Sequence, residues 1–235
     1  MSETSNLTLP LVQSSQAQKH VTVNEALVKL DGLAQISLKS RTLSQPPAVF
    51  SDGDCYAVAS GATGDWVGSD AKIAIASNGG WVFVEPRDGW EAWVSDEFLS
   101  ATWIQGEWLA GMLAGAPNGA ASHFMVNEAE YDILAGDGQT VGLQIPANSV
   151  LFACSARVVD ELTGTMSSWT LDLEDGSVTF GTGMGVQAGS YCTGILSQPS
   201  AIYSSQFVQV TPVGGSFTGG KLRLAAHFYG ISLPV

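Results

Sequence analysis

The sequence predicts a mainly β protein: an N-terminal helix plus a small antiparallel Trp-rich β-meander, then a C-terminal β-sandwich of jelly-roll-like topology. Three observations carry that expectation. Apolar residues alternate with period two through much of the chain, as in Val141, Leu143 and Ile145 or Leu222, Leu224, Ala226 and Phe228. Turn signals built on Gly, Asn, Asp and Pro recur about every eight to twelve residues, and the 27 glycines exceed the roughly 7% of an average protein. A helical period is convincing in one place only, near the N-terminus.

That helix is expected from a capping box at Thr22 and Glu25, in which the Thr22 hydroxyl accepts from the Glu25 backbone N–H and the Glu25 carboxylate reaches back. Ala26, Leu27, Leu30, Leu33 and Ala34 then share one apolar face. Gly32 interrupts the helix at a cost of about 1 kcal/mol relative to Ala, so packing must hold it. The stripe is the natural lid for a sheet.

After Gln45-Pro46-Pro47 breaks the chain, a meander is expected. Its strands are Cys55 to Ala59, Trp66-Val67, Lys72 to Ala76, Trp81 to Val84, Trp90 to Val94, Leu99 to Ile104 and Trp108-Leu109. Asn78-Gly79-Gly80 supplies the positive-φ positions of a tight turn, and Asp88-Gly89 another corner. Six of the seven tryptophans fall between Trp66 and Trp108, where indoles fill the small core of a short meander.

Gly111 to Ala120 has no period and reads as a linker. The domain expectation is therefore an extended arm over 1–21, helix and meander over 22–110, a linker over 111–120 and the sandwich over 121–235. In the sandwich, Val150, Phe152, Cys154, Ala156 and Val158 are expected to share a face, as are Trp169, Leu171 and Leu173. Gly181 to Gly185 reads as an irregular loop.

Twenty-two acidic against nine basic residues give a net charge of −13, which argues against nucleic acid and against anionic membranes as partners. Cys55, Cys154 and Cys192 are far apart and show no disulfide framework or metal-knuckle spacing. Met1 to Ser5 carries no basic n-region, and no run reaches the roughly 18 apolar residues of a spanning helix, so synthesis in a cytoplasm is expected.

No catalytic group and no metal or cofactor site is expected. His20, His123 and His227 are scattered, no Gly-x-Ser-x-Gly elbow is present, and no two His or Cys lie at ligand spacing. Asp172, Glu174 and Asp175 before Gly176 suggest a calcium turn, but the full EF-hand pattern is missing and a hairpin corner explains them. Among the tryptophans, Trp93 beside Glu91, on the face opposite Trp90, Ala92 and Val94, is the first choice for an exposed ring that stacks on a sugar, with Trp66 as a further candidate. For the rest, core or subunit interface is the plainer reading.

The stretch Leu9-Pro10-Leu11, Gln16-Ala17-Gln18-Lys19-His20-Val21-Thr22 and Asn24-Glu25-Ala26-Leu27 resembles the opening signature of an uncharacterised domain-of-unknown-function family. Tailed-phage and gene-transfer-agent virion proteins of the head-spike and tail-fibre class carry that family. The resemblance continues to about Leu109, and Gly214 to His227 resembles the end of the same proteins. It implies a virion structural protein, a head spike or fibre base on the particle surface, which contacts host polysaccharide and is not an enzyme. It implies capsid or tail proteins as partners and a closed homo-oligomer, a pentamer favoured over a trimer. Leu7, Leu9, Pro10, Leu11 and Val12 then read as a docking peptide, with Pro10 presetting an extended conformation. Packing of that arm along its own helix is the competing reading. The alternatives for the whole chain are a carbohydrate-active enzyme with a jelly-roll domain and a capsid cement protein without ligand.

Overall fold

A computed structural model describes residues 3–13 and 19–234. The chain divides into two units, Met1–Met112 and Leu113–Val235. Gln16-Ala17-Gln18 of the opening signature lie outside the described residues.

Unit 1 holds a helix α1 (Lys19–Leu33) and seven strands: β1 (Ser37–Leu38), β2 (Cys55–Ala57), β3 (Ile73–Ser77), β4 (Gly80–Val84), β5 (Glu91–Val94), β6 (Leu99–Ile104) and β7 (Glu107–Ala110). They form one sheet in the order β4-β3-β2-β1-β5-β6-β7. The expected meander is thus two antiparallel three-stranded meanders, joined through β1, which pairs parallel with both β2 and β5. A two-residue strand is too short to show a period, yet its Leu38 is fully buried. Trp66 lies in a 3-10 turn, Gly64–Trp66, rather than in a strand.

The helix packs differently from its sequence pattern. It begins before Thr22, so no capping box forms there, and the Glu25 carboxylate instead accepts from Lys29 Nζ one turn on, at 2.9 Å. Its inward side is Val28, Asp31, Gly32 and Leu33, while Leu30, expected in the core, is 51% exposed and Val23 is exposed as well. Gly32 decides this. A Cβ there would stand 2.7 Å from Ile75 Cδ1 and 3.2 Å from Cys55 Sγ, so the missing side chain lets the helix backbone sit on β2 and β3.

Beside Gly32, the buried Asp31 carboxylate gathers the N-terminal arm. Its Oδ1 accepts from the Thr4 hydroxyl and the Leu7 N–H, both at 2.6 Å, and its Oδ2 accepts from the Asn6 N–H at 3.0 Å. Asn24 adds two bonds to the Val12 backbone, at 2.8 and 3.0 Å. The arm is therefore folded back onto its own helix rather than held out. Leu9 and Leu11 are half-buried by that contact, and Leu7, Pro10 and Val12 stay exposed.

Unit 2 carries β8 (Met112–Gly115), β9 (Ala121–Asp132), β10 (Gln139–Ile145), β11 (Ser149–Gly164), β12 (Ser168–Leu173), β13 (Thr179–Met184), β14 (Tyr191–Cys192), β15 (Ile195–Ile202), β16 (Gln206–Val213) and β17 (Phe217–Ser232). The stretch 111–120, expected as a linker, instead makes β8 and the turn that returns it to β9, closed by Ala116 N–H to Ala120 O at 2.8 Å. The Gly181 to Gly185 stretch, expected as a loop, is mostly β13: a Cβ at Gly181 would lie 2.7 Å from Cys192 Sγ, and Gly185 O accepts the Trp169 indole N–H at 3.0 Å.

One sheet runs β10-β16-β12-β13 and the other β14-β11-β17-β9-β8, with β15 also on β11. Count β9 to β13 as strands one to five, β14 with β15 as six, and β16 and β17 as seven and eight. The sheets then read 1-8-3-6 and 2-7-4-5, the jelly-roll order. Val141, Leu143, Ile145, Trp169, Leu171, Leu173, Leu222 and Leu224 face each other in the shared core. A bulge between Leu151 and Ala153 breaks the expected β11 face and turns Phe152 outward, beside Phe124 at 5.7 Å.

The cysteines are free thiols, and burial pushes Cys55 and Cys154 up to about 12. The Asp31 knot makes a testable statement. Asp31→Ala removes three hydrogen bonds to a charge, each worth about 1.5–3 kcal/mol before relaxation and rehydration. We expect a net loss of about 2–3 kcal/mol in urea unfolding of unit 1, with faster amide exchange at Asn6 and Leu7. Unchanged exchange at those amides contradicts the knot.

Candidate functional site

The candidate site is built on the part of the unit 1 sheet where Ser37, Trp93 and Ser100 are exposed. On one face, α1 contributes Val28 and Leu33 to a core with Leu38, Ile73, Ile75, Val94 and Trp103. On the other face, the loop around Trp66 covers β2, β3 and β4, packing Trp66 with Tyr56, Val58 and Ala74. Trp66 and Trp81 meet edge to face at 5.2 Å. Trp66 is 0% exposed, so it is a core residue and cannot stack on a sugar.

The same face continues over β1, β5 and β6, where Ser37, Glu91, Trp93 and Ser100 are exposed and Thr102 is buried. Period-two alternation puts Ala92 and Val94 inward and Glu91 and Trp93 outward. Trp93 is 37% exposed and is flanked in register by the exposed Ser37 on β1 and Ser100 on β6. Glu91 and Trp93 therefore lie on the same outward face.

Phe98 completes the facet, and sequence reasoning missed it. It sits in the β5–β6 turn, 81% exposed, with its ring edge-on to Trp93 at 5.0 Å. Its φ is +55°, a region in which a bulky non-glycine residue is an outlier. Surrounding structure must hold such a residue, and here Arg41 does so. Arg41 Nε donates to Glu97 Oε1 at 2.7 Å and Nη2 to Glu97 Oε2 at 2.8 Å, a bidentate fork, while Nη1 donates to the Trp108 carbonyl. The Glu97 carboxylate holds the Arg41 guanidinium above its usual range. The one signal in the sequence was an aromatic next to a charged pair, Asp96-Glu97-Phe98, which reads as an ordinary turn.

On its other side Arg41 borders a cleft of about 320 Å³, lined also by Ser60, Asp70, Glu107 and the edges of Trp103 and Trp108. Those two indoles are a cross-strand pair at 5.4 Å and are nearly buried. Asp70 accepts from the backbone N–H groups of Ala62 and Gly61, which hold its carboxyl below the usual carboxylate range.

With this geometry in view, comparison with known proteins adds one match to the same half of the chain. Residues 23–109 match the model of a family described as a protein of unknown function, DUF2793. The matched span contains most of α1 and all of β1 to β6, hence the whole Trp93–Phe98 facet. It ends where the resemblance read from the sequence was expected to end, and it includes neither residues 9–22 nor the C-terminal stretch 214–227. No curated protein matches. Among solved structures, a chain titled "Cyanophage Pam1 capsid asymmetric unit" is 14% identical, with a TM-score of 0.35, over 50% of this chain and 90% of that one. A likeness that low carries no argument.

The other sequence candidates do not gather into a site. Asp172 accepts the hydroxyls of Thr170 and Thr179, and Asp175 accepts from Ser177, so each carboxylate is spent on its own hairpin. Among the described residues no group of three His, Cys, Asp or Glu side chains is placed to hold a metal ion. Among them, too, no helix is long and apolar enough to cross a membrane.

The fork makes a prediction. An exposed ion pair contributes about 0–1 kcal/mol, so Glu97→Ala should lower the melting temperature little. It should nevertheless loosen the turn, raising amide exchange at Phe98 and Leu99. Exchange unchanged at both would mean that the fork does not hold Phe98.

Proposed function

We propose that this chain is a structural protein on the surface of a phage-like particle, a head spike or fibre base, and that unit 1 adheres to host surface polysaccharide through the Trp93–Phe98 facet. The observation that carries the adhesive part is an exposed indole and phenyl ring held edge to face in a fixed turn. Sugar rings bury their apolar C–H faces on such rings. Glu91, Ser37 and Ser100 surround the indole with groups that bond hydroxyls. The particle part is supported by the phage-family resemblance of residues 9–27 and by the family match over residues 23–109. Leu7, Pro10 and Val12, exposed on an arm whose backbone is already fixed, present a preordered apolar edge to a capsid or tail protein.

A catalytic reading has one observation in its favour, the cleft that Asp70 and Glu107 both line. A glycosidase needs one of two carboxyls raised to serve as general acid. Asp70 is held the other way by the N–H groups it accepts, so it does not supply that raised acid. Our reading is binding, and the assay below decides between it and catalysis.

Both readings meet the same assay. Tryptophan fluorescence is followed as host capsular polysaccharide is added, with release of reducing sugar measured alongside. A fluorescence change that Trp93→Ala weakens at least tenfold, with no sugar released, supports adhesion. Sugar release that Asp70→Asn abolishes would replace it with the enzyme. The assembly part predicts a closed homo-oligomer of five in preference to three copies, and a monomer by light scattering at high concentration contradicts it.

A further inference from the structure

Unit 2 has three basic residues, Arg157, Lys221 and Arg223, against nine acidic ones, and β11 and β17 place all three on the outer face of one sheet. Two of them are paired: Lys221 Nζ lies 3.1 Å from Glu130 and 3.4 Å from Asp132, and Arg223 Nη2 lies 2.6 Å from Glu130. Arg157 is different. Among the described residues its guanidinium has no hydrogen bond and no ion pair, and it lies over the Tyr191 ring at 5.5 Å. It stands in register opposite Arg223, whose charge Glu130 already compensates, so the charge left without a partner on this row is that of Arg157.

Arg157, Tyr191 and Arg223 border a groove of about 400 Å³, within the size range of small-ligand sites. The adjacent row across the strands is Ser155, Ala225 and Glu128, so a hydroxyl and a carboxylate lie next to the free guanidinium. Arg157 offers one uncompensated charge with a planar fork, which suits a single carboxylate. A doubly charged phosphate would meet Glu128, with Arg223 already paired to Glu130. Ser155 and Glu128 are partners for hydroxyls on the body that carries the carboxylate. Screening over about 8 Å at physiological salt lets this local charge act in spite of the net −13.

We propose that this groove on unit 2 is a binding site for a hexuronic acid, the carboxylate seated on the Arg157 fork and the ring hydroxyls on Ser155 and Glu128. The site stands on unit 2 alone and does not rest on the Trp93 facet, so either can fail without the other.

The test is an NMR-monitored titration of the full-length protein with sodium glucuronate, with glucose and sodium acetate as the neutral and ring-less controls. Glucuronate should bind, with glucose and acetate each at least tenfold weaker. Arg157→Gln should weaken glucuronate about tenfold, Arg157→Lys less, and Trp93→Ala not at all. Tyr191→Ala, an exposed position, should weaken it with the fold intact by thermal melting. Equal binding of glucose, equal binding of acetate, no binding of glucuronate, or wild-type affinity in Arg157→Gln would each overturn the assignment.

Discussion

The seat of α1 on β2 and β3 governs unit 1. Gly32 permits a backbone-to-side-chain approach in which a Cβ would stand 2.7 Å from Ile75 Cδ1, so that the buried Ile75 side chain would have to shift. Asp31, one residue earlier, is carried into the same buried position and collects the N–H and hydroxyl groups of the N-terminal arm. An unpaired carboxylate there would be strongly destabilising, so the arm and the helix are ordered together. Once the helix is spent on one face and the Trp66 loop on part of the other, Ser37, Trp93 and Ser100 of β1, β5 and β6 are left exposed among the described residues.

The two units arrive at open sheet faces by different routes. In unit 1 a mixed sheet exposes side chains of β1, β5 and β6 among the described residues. In unit 2 the jelly roll closes its own core, and the bulge at Phe152 redirects one aromatic outward while the charged rows of β9, β11 and β17 stay in water. Jelly rolls serve capsid and lectin domains alike, so the topology by itself selects no function. The side chains on the outer faces carry whatever specificity there is.

Much of this architecture was legible in the residues. Strands with clean alternation, such as Gln139–Ile145 and Ser168–Leu173, and the Asn78-Gly79 turn follow from period and turn chemistry. Trp93 and Glu91 were legible for the same reason, since alternation fixes which side chains point out. The misses share a cause, in that long-range contacts outweighed local pattern. The apolar stripe of α1 yielded to Gly32, the capping box to an earlier helix start, and the flexible look of 111–120 to strand pairing with β9. Phe98 was invisible because its role depends on Arg41, 57 positions earlier and joined to it through Glu97.

The central claim is that the exposed part of the unit 1 sheet is the adhesive surface. It is tested most directly by the indole N–H signals of 15N-Trp-labelled protein titrated with host polysaccharide. The account predicts that the Trp93 signal moves and saturates while those of Trp66, Trp81 and Trp169 stay in place. A Trp93 signal that does not move while the protein binds the polysaccharide would contradict it.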